Sequence, residues 1–373
     1  MDGAGEIGSY TEWQPLREVV VGRVDGAAWP DWDLVDRATV PDEVRDGVVG
    51  LRGHWRSYPP EVIARAQACL DGLMSILRGE GVRVQRPDPF RHVAPYETPH
   101  WRVANGFCSA NPRDVILTIG RTFVECPMAH RGRYFEALAY RRIMKDLMRR
   151  GALWISAPKP ELTDALYDPE YRYPADAPDG VDDDWSKVDP DALRFITTEE
   201  EPVFDAADFV RCGRDIYGQR SQITNLAGIE WLRRLVEPEY RVHLIPTRCA
   251  GAYHIDTTFL PLAPGRALVS PNFVDVARLP AALKKWEILE APAPRSTPLH
   301  LAGWMSDWIS INVLSLDEKR VIVEREQEPL IAALRDWGFD PIPCAFKEHY
   351  SFMGGFHCAT LDVYREGGLE DYS

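Results

Sequence analysis

The chain has 373 residues, 45% of them hydrophobic, enough to bury a substantial core in one large domain or two. Its 57 acidic and 43 basic side chains give a formal charge of −14, which argues against nucleic acid or an anionic membrane surface as the main partner and favours a cationic small molecule. Seven scattered cysteines with no CxxC spacing signal neither a disulfide framework nor a structural zinc site, and fit a reducing cytoplasm. The N-terminus has no basic segment followed by an apolar one, and no stretch approaches the roughly 18 apolar residues that span a bilayer, so a soluble cytoplasmic protein is expected.

Along the chain, one arrangement recurs: an amphipathic helix, a short turn, then an extended apolar segment stopped by proline. The first helix is expected over about Pro60–Arg78, where Val62, Ala66, Cys69, Leu70, Leu73 and Leu77 form an apolar stripe; Pro59-Pro60 opens it, and Gly79 and Gly81 close it. Gly81-Val-Arg-Val-Gln-Arg-Pro87 is its extended segment. Two strands, Val115–Ile119 and Thr122–Glu125, precede a helix over about Phe135–Arg150 and the segment Gly151-Ala-Leu-Trp-Ile-Ser-Ala-Pro158. Helices near Asn225–Val236, Leu279–Lys285 and Glu328–Trp337 lead into segments ending at Pro246, Pro292 and Pro343, and the strands Ile311–Ser315 and Arg320–Glu324 precede the last helix.

The unit therefore reads strand, strand, helix, strand, and five copies point to a closed, radially repeated α/β architecture in a single domain spanning 1–373. The same pattern also fits an irregular α/β chain whose helices happen to precede strands. Asp168–Glu201, acidic and without apolar periodicity, breaks the rhythm and reads as a surface insertion or lid. Trp29–Trp55 reads as a second excursion, capping one face.

Four segments place polar residues where a core strand or a tight turn is expected. In Met353-Gly-Gly-Phe-His-Cys358, two glycines allow an unusual backbone approach and could present a thiol to a pocket; taken alone, an inert buried cysteine is the simpler reading. His254 and Asp256 lie two apart in an expected strand and would share a face, offering an acid–base group and a carboxylate for a cation, or simply an ordinary polar strand end. Asp205 and Asp208 sit in an apolar context before a strand, where one could orient a histidine or both could serve a turn. Asp114 stands at the mouth of an apolar strand, as a site carboxylate or a cap.

Together these segments resemble the arginine amidinotransferases, the family of arginine:glycine amidinotransferase and the inosamine-phosphate enzymes. The resemblance covers nearly the whole chain, from Glu12-Trp-Gln-Pro-Leu-Arg through Pro112-Arg-Asp114, Pro127-Met-Ala129, Ala157-Pro-Lys-Pro160, Phe204-Asp-Ala-Ala-Asp208, Gly213-Arg-Asp215, His254-Ile-Asp256 and Leu316-Asp-Glu-Lys-Arg320 to Gly355-Phe-His-Cys-Ala-Thr360. It implies a five-bladed α/β propeller, the pentein fold. It also implies a catalytic set of Cys358 as nucleophile, His254 as proton carrier and Asp205 as its partner, with Asp114 and Asp256 on the guanidinium of L-arginine. An amidino-cysteine forms, L-ornithine leaves and a primary amine acceptor takes the amidino group, with no metal or organic cofactor. Relatives in the family imply a homodimer.

The acceptor side departs from the family pattern. Leu268-Val-Ser-Pro-Asn-Phe273 lacks the arginine that commonly binds a substrate carboxylate, and of the serine pair found in glycine-type relatives only Ser306 carries over. Tyr253 occupies the loop that shapes the acceptor pocket. Arg214-Asp-Ile-Tyr-Gly-Gln-Arg-Ser-Gln222 and Ile229-Glu-Trp231 look glycine-type, so glycine or another small amine is the expected acceptor, in a bacterial enzyme of specialised metabolism. Two alternatives use the same residues: a hydrolase of the same fold, similar to arginine deiminase, and a non-catalytic arginine-binding protein.

Overall fold

The computed structural model describes residues 6–38, 40, 45–47, 49–50, 57–171, 184–249, 251, 254–296 and 306–373. In chain order the main elements are β1 (Leu16–Val21), α1 (Pro60–Gly79) and β2 (Arg83–Gln85), then β3 (Ile116–Ile119), β4 (Thr122–Glu125), α2 (Arg141–Arg149) and β5 (Leu153–Ser156). Next come β6 (Phe209–Cys212), β7 (Asp215–Gly218), α3 (Leu226–Val236) and β8 (Arg241–Leu244), followed by β9 (Phe259–Ala263), β10 (Arg266–Val269) and β11 (Glu287–Glu290). The chain ends with β12 (Leu314–Ser315), β13 (Arg320–Glu324), α4 (Glu328–Asp336), β14 (Asp340–Cys344) and β15 (Thr360–Arg365).

These strands form five three-stranded sheets built to one plan: an antiparallel pair, then a third strand parallel to the second after a crossover. Each proline-stopped segment of the sequence supplies that third strand. The first sheet joins the two ends of the chain, because β15 pairs antiparallel with β1, Thr360 opposite Val21, while β2 lies parallel on the other side. Five modules of one plan, the first completed by β15, agree with the expected five-bladed α/β propeller.

Burial grades outward along each sheet. Residues of β3, β6 and β9 are buried throughout, whereas the outer strands β5 and β11 are exposed at both ends. Inner strands buried on both faces explain their near-continuous apolar runs. Helix α1 turns Val62, Ala66, Leu70, Leu73 and Leu77 inward, opens on Pro60 at its first position and is followed by Gly81 at φ +79°.

Two expected helices differ. Between β10 and β11 the structure has 3-10 turns, Val276–Arg278 and Ala281–Leu283, instead of a helix over Leu279–Lys285. Only six residues separate Pro280 from Glu287, the start of β11, too few for the hydrogen bonds that offset helix nucleation. The Phe135–Arg150 helix begins with a 3-10 stretch, Glu136–Tyr140, and becomes α-helical only at Arg141; the tighter turn seats Glu136 against Arg133 and lets the Tyr140 hydroxyl donate to the Ser109 carbonyl at 3.0 Å.

Within the acidic stretch 168–201, the described residues include four that are buried, Tyr171, Trp185, Ile196 and Thr197, and Trp185 packs into the largest apolar cluster. Of the 29–55 stretch, Trp29, Val35 and Ala38 are buried as well. Among the described residues no helix is long and apolar enough to cross a membrane.

The centre of the molecule is ionic. Glu12, Arg113, Arg211, Asp362 and Arg365 are buried together: Arg211 bridges Glu12 at 2.7 Å and Asp362 at 2.6 Å, and Arg113 and Arg365 reach Asp362 at 3.0 and 2.8 Å. Charges so far from water persist only when they are paired and hydrogen-bonded in this way.

Candidate active site

Cys358 lies in the turn two residues before β15, at the inner end of the closing strand. Its approach requires both glycines. A Cβ on Gly354 would stand 2.2 Å from Asn111 Oδ1 and 2.9 Å from Cys358 Cβ, and one on Gly355 would stand 2.7 Å from Asn312 Cβ. The Cys358 amide donates to Asn312 Oδ1 at 3.1 Å, which fixes the orientation of that side-chain amide. Asn312 Nδ2 consequently faces Cys358 Sγ at 3.3 Å, and Asp256 Oδ2 lies 3.4 Å from the same sulfur. Burial, with Asp256 and Asp114 adding to it, pushes the thiol well above its ordinary range.

His254 and Asp256 do share the site, but not as alternating strand residues. His254 precedes a 3-10 turn, Ile255–Thr257, that contains Asp256 and leads into β9. The turn lets the two side chains approach Cys358 from different directions. His254 Nε2 meets Asp205 Oδ2 at 3.2 Å, while Nδ1 stands 3.8 Å from Asp114 Oδ1, beyond hydrogen-bond reach. Burial opposes charge on His254, yet Asp114, Asp205 and Asp208 outweigh it and push its pKa up to about 10.

Asp205 opens the 3-10 turn before β6, and Asp114 sits in one helical turn, Pro112–Val115, before β3. Burial raises the Asp114 carboxyl against the pull of His254 and Arg133; for Asp256 burial is overcome, chiefly by a hydrogen bond from His357, and its carboxyl is lowered. Among the described residues, Asp114 Oδ1 and Asp256 Oδ1 are buried with no hydrogen-bond partner. Two orphaned carboxylate oxygens beside a thiol form an acceptor pair for a planar, doubly donating cation.

Several residues of the site were not anticipated. Arg133 is buried and touches Asp114 Oδ2 at 3.0 Å, Asp205 Oδ2 at 3.1 Å and Glu136 Oε2 at 2.9 Å. Burial pushes Glu136 up to about 7 and Asp208, which accepts from Ser221 Oγ at 2.6 Å, up to about 8. His357 and Asn312 are the others. The hint was adjacency: His357 neighbours Cys358, and Arg133 follows Pro127-Met-Ala129 by four residues.

Ser306 uses its hydroxyl to cap the 3-10 turn Asp307–Ile311, accepting from the Trp308 amide at 3.1 Å. Tyr253 lies outside the described residues. Asp114, His254 and Cys358 bring an oxygen, a nitrogen and a sulfur within 4.8 Å of one another, a set that suits a soft divalent ion, though Arg133 places a fixed positive charge on the same carboxylate.

No family model matches the chain. It is 41% identical over 364 residues to an L-arginine:L-lysine amidinotransferase of Pseudomonas savastanoi pv. phaseolicola, covering 98% of this chain and 96% of that protein. It is 40% identical over 366 residues to the mitochondrial glycine amidinotransferase of Gallus gallus, covering 98% and 84%. Among solved structures, SxtG, an amidinotransferase of the saxitoxin biosynthetic pathway from Microseira wollei, is 50% identical and superposes with a TM-score of 0.88 over 98% of this chain and 99% of that one. With this identity sustained along almost the whole sequence, and the same fold around the buried thiol, the chain belongs to the amidinotransferase family.

Proposed function

We propose that the enzyme takes the amidino group of L-arginine onto Cys358, releases L-ornithine, and passes the group to a primary amine, glycine or another small amine. The observation that carries this reading is the pair of unpartnered oxygens, Asp114 Oδ1 and Asp256 Oδ1, buried beside the sulfur. A guanidinium donating to both would set its carbon against Sγ at the roughly 3–3.5 Å of a reactive approach. The names of the relatives, which pair arginine with lysine or concern glycine, agree with an arginine donor and an amine acceptor.

The chemistry follows from the charges. In the empty site the thiol is held protonated; the arriving cation favours the thiolate, and the proton leaves to water. Sulfur attacks the guanidinium carbon, and Asn312 Nδ2 donates to the sulfur. His254, protonated and anchored through Nε2 to Asp205, gives the Nδ1 proton to the departing δ-nitrogen, so the C–N bond breaks and ornithine leaves as a neutral amine. The now neutral imidazole takes a proton from the acceptor ammonium. A basicity of about 10 matches a primary amine near the lysine value of about 10.4, so this transfer is close to balanced. The amine attacks, the C–S bond breaks, and the leaving sulfur takes the surplus proton of the attacking nitrogen, so the thiol is restored and the product leaves as a guanidinium.

Intact-protein mass spectrometry after brief exposure to L-arginine alone tests this scheme. Wild type should gain one amidino group, Cys358→Ala none, and a candidate amine such as glycine should discharge the adduct. Citrulline and ammonia in place of ornithine would instead show that a terminal nitrogen leaves and water resolves the adduct, and would overturn the transferase reading.

A further inference from the structure

We propose that His357 is a positioning residue for the donor step, holding Asp256 against the guanidinium site from an anchor on Glu12 at the centre of the propeller. This rests on the arginine-binding role proposed above for Asp256.

His357 is buried and bound on both sides. Its Nδ1 lies 2.6 Å from Asp256 Oδ2, and its Nε2 lies 3.0 Å from Glu12 Oε2. Both ring nitrogens face carboxylate oxygens, so each is placed to donate. Glu12 is in turn fixed by Arg211, whose backbone amide and Nε reach Oε1 at 3.0 and 2.8 Å and whose Nη2 reaches Oε2 at 2.7 Å. The imidazole is therefore a strut between an immobile ionic centre and the carboxylate nearest the nucleophile.

Its effect on Asp256 is specific. The hydrogen bond from Nδ1 engages Oδ2, the oxygen that also faces Cys358 Sγ, and leaves Oδ1 unpartnered. The rotation of the carboxylate is thus set before any ligand arrives, and the free oxygen is the one offered to a cation. Burial by itself would raise the Asp256 carboxyl; the His357 bond is the largest influence in the opposite direction. Without it, the buried carboxylate would be free to turn or to hold a proton, and would lose its value as a guanidinium acceptor. Preorganisation of this kind lowers the cost of binding without adding a contact to the ligand.

The side chain can be dissected by reach. Asn at 357 places an amide where Nδ1 stands, able to donate to Asp256 but too short for Glu12; Gln reaches toward the Nε2 position and Glu12; Phe fills the volume with no donor. In the full-length Cys358→Ala background, L-arginine binding is measured by calorimetry, and in the Cys358 enzyme kcat and KM for L-arginine are measured at saturating acceptor. His357→Phe should weaken arginine binding about 10- to 100-fold, the range for losing a hydrogen bond to a charged group. It should raise KM by more than it lowers kcat, and His357→Asn should return affinity to within about threefold of the parent.

Unaltered affinity in His357→Phe, or equal defects in folded Asn and Phe variants, would overturn the proposal while leaving the function intact. If His357→Phe does not fold, the Asn and Gln variants carry the comparison: Asn binding arginine at least about tenfold tighter supports the strut, and equal affinities overturn it. Failure of the Cys358→Ala parent itself to bind L-arginine, with its fold confirmed by circular dichroism, would overturn the functional reading and this proposal together.

Discussion

Burial and two carboxylates oppose the thiolate that the proposed chemistry requires, so the ionisation of Cys358 should depend on what occupies the guanidinium position. Burial, Asp256 and Asp114 all hold the thiol up. A cation seated on Asp114 Oδ1 and Asp256 Oδ1 would offset both carboxylates. Two unit charges about 4 Å apart at an effective dielectric near 20 interact by about 4 kcal/mol. At 1.36 kcal/mol per pH unit that lowers the thiol midpoint by up to about three units. The assay is the rate of iodoacetamide alkylation at Cys358 across pH 7–10.5, with and without guanidinium chloride at millimolar, non-denaturing concentration, and Cys358→Ala supplying the background from the other six cysteines. The alkylation profile should move to lower pH with guanidinium, and Asp256→Asn should diminish the movement. A midpoint that stays put or rises on adding the cation refutes substrate-assisted ionisation.

Three further outcomes follow from the site. His254 is held up to about 10 chiefly by Asp114, which a bound guanidinium also engages, so in the substrate complex its acid form should be lost below pH 10 and ornithine release in a single turnover should decline there; rapid quench should show no such limb in the residual rate of His254→Asn. Arg133→Met leaves Asp114, Asp205 and Glu136 without their shared cation and should cost about 3–5 kcal/mol in urea unfolding. Because Arg133 holds the Glu136 carboxyl down, in the variant Glu136 should take up its proton above pH 7, so the deficit should grow as pH is raised above neutrality; an unmoved urea midpoint would contradict the charge-balancing role. Gly354→Ala drives a methyl group toward Asn111 Oδ1 and Cys358 Cβ; a displacement near 1 Å should lower kcat about 100-fold while the melting temperature falls only a few degrees, and full activity would show that the turn has slack.

The five-module plan was readable because its marks are local. Prolines and glycines bracket the third strand of each blade, and the stripe of α1 repeats at helical spacing. The missing fourth helix was harder: Ala281-Ala-Leu-Lys-Lys has good helix formers, but the distance to β11 decides, and the position of β11 is set by pairing with β10. Asp114, Asp205, His254, Asp256 and Cys358 all stood out as polar residues in apolar surroundings, and the structure brings them together, Asp114, His254 and Asp256 beside the Cys358 sulfur and Asp205 behind His254. Arg133 did not stand out, because an arginine in a polar loop is ordinary until its partner 72 residues away is known. His357 depends on carboxylates 101 and 345 residues distant, and Asn312 on a backbone amide 46 residues distant; no periodicity encodes such pairings.

The closing strand has a consequence for when the enzyme becomes reactive. Cys358 is carried on the approach to β15, whose partner β1 lies far earlier in the chain, and the other proposed site residues arrive from the second, third and fourth modules. Until β15 has been made and pairs with β1, the proposed nucleophile does not face the carboxylates. A nascent chain lacking that strand therefore has no means of the proposed capture of arginine, and closure of the first sheet is itself the event that would switch on the chemistry.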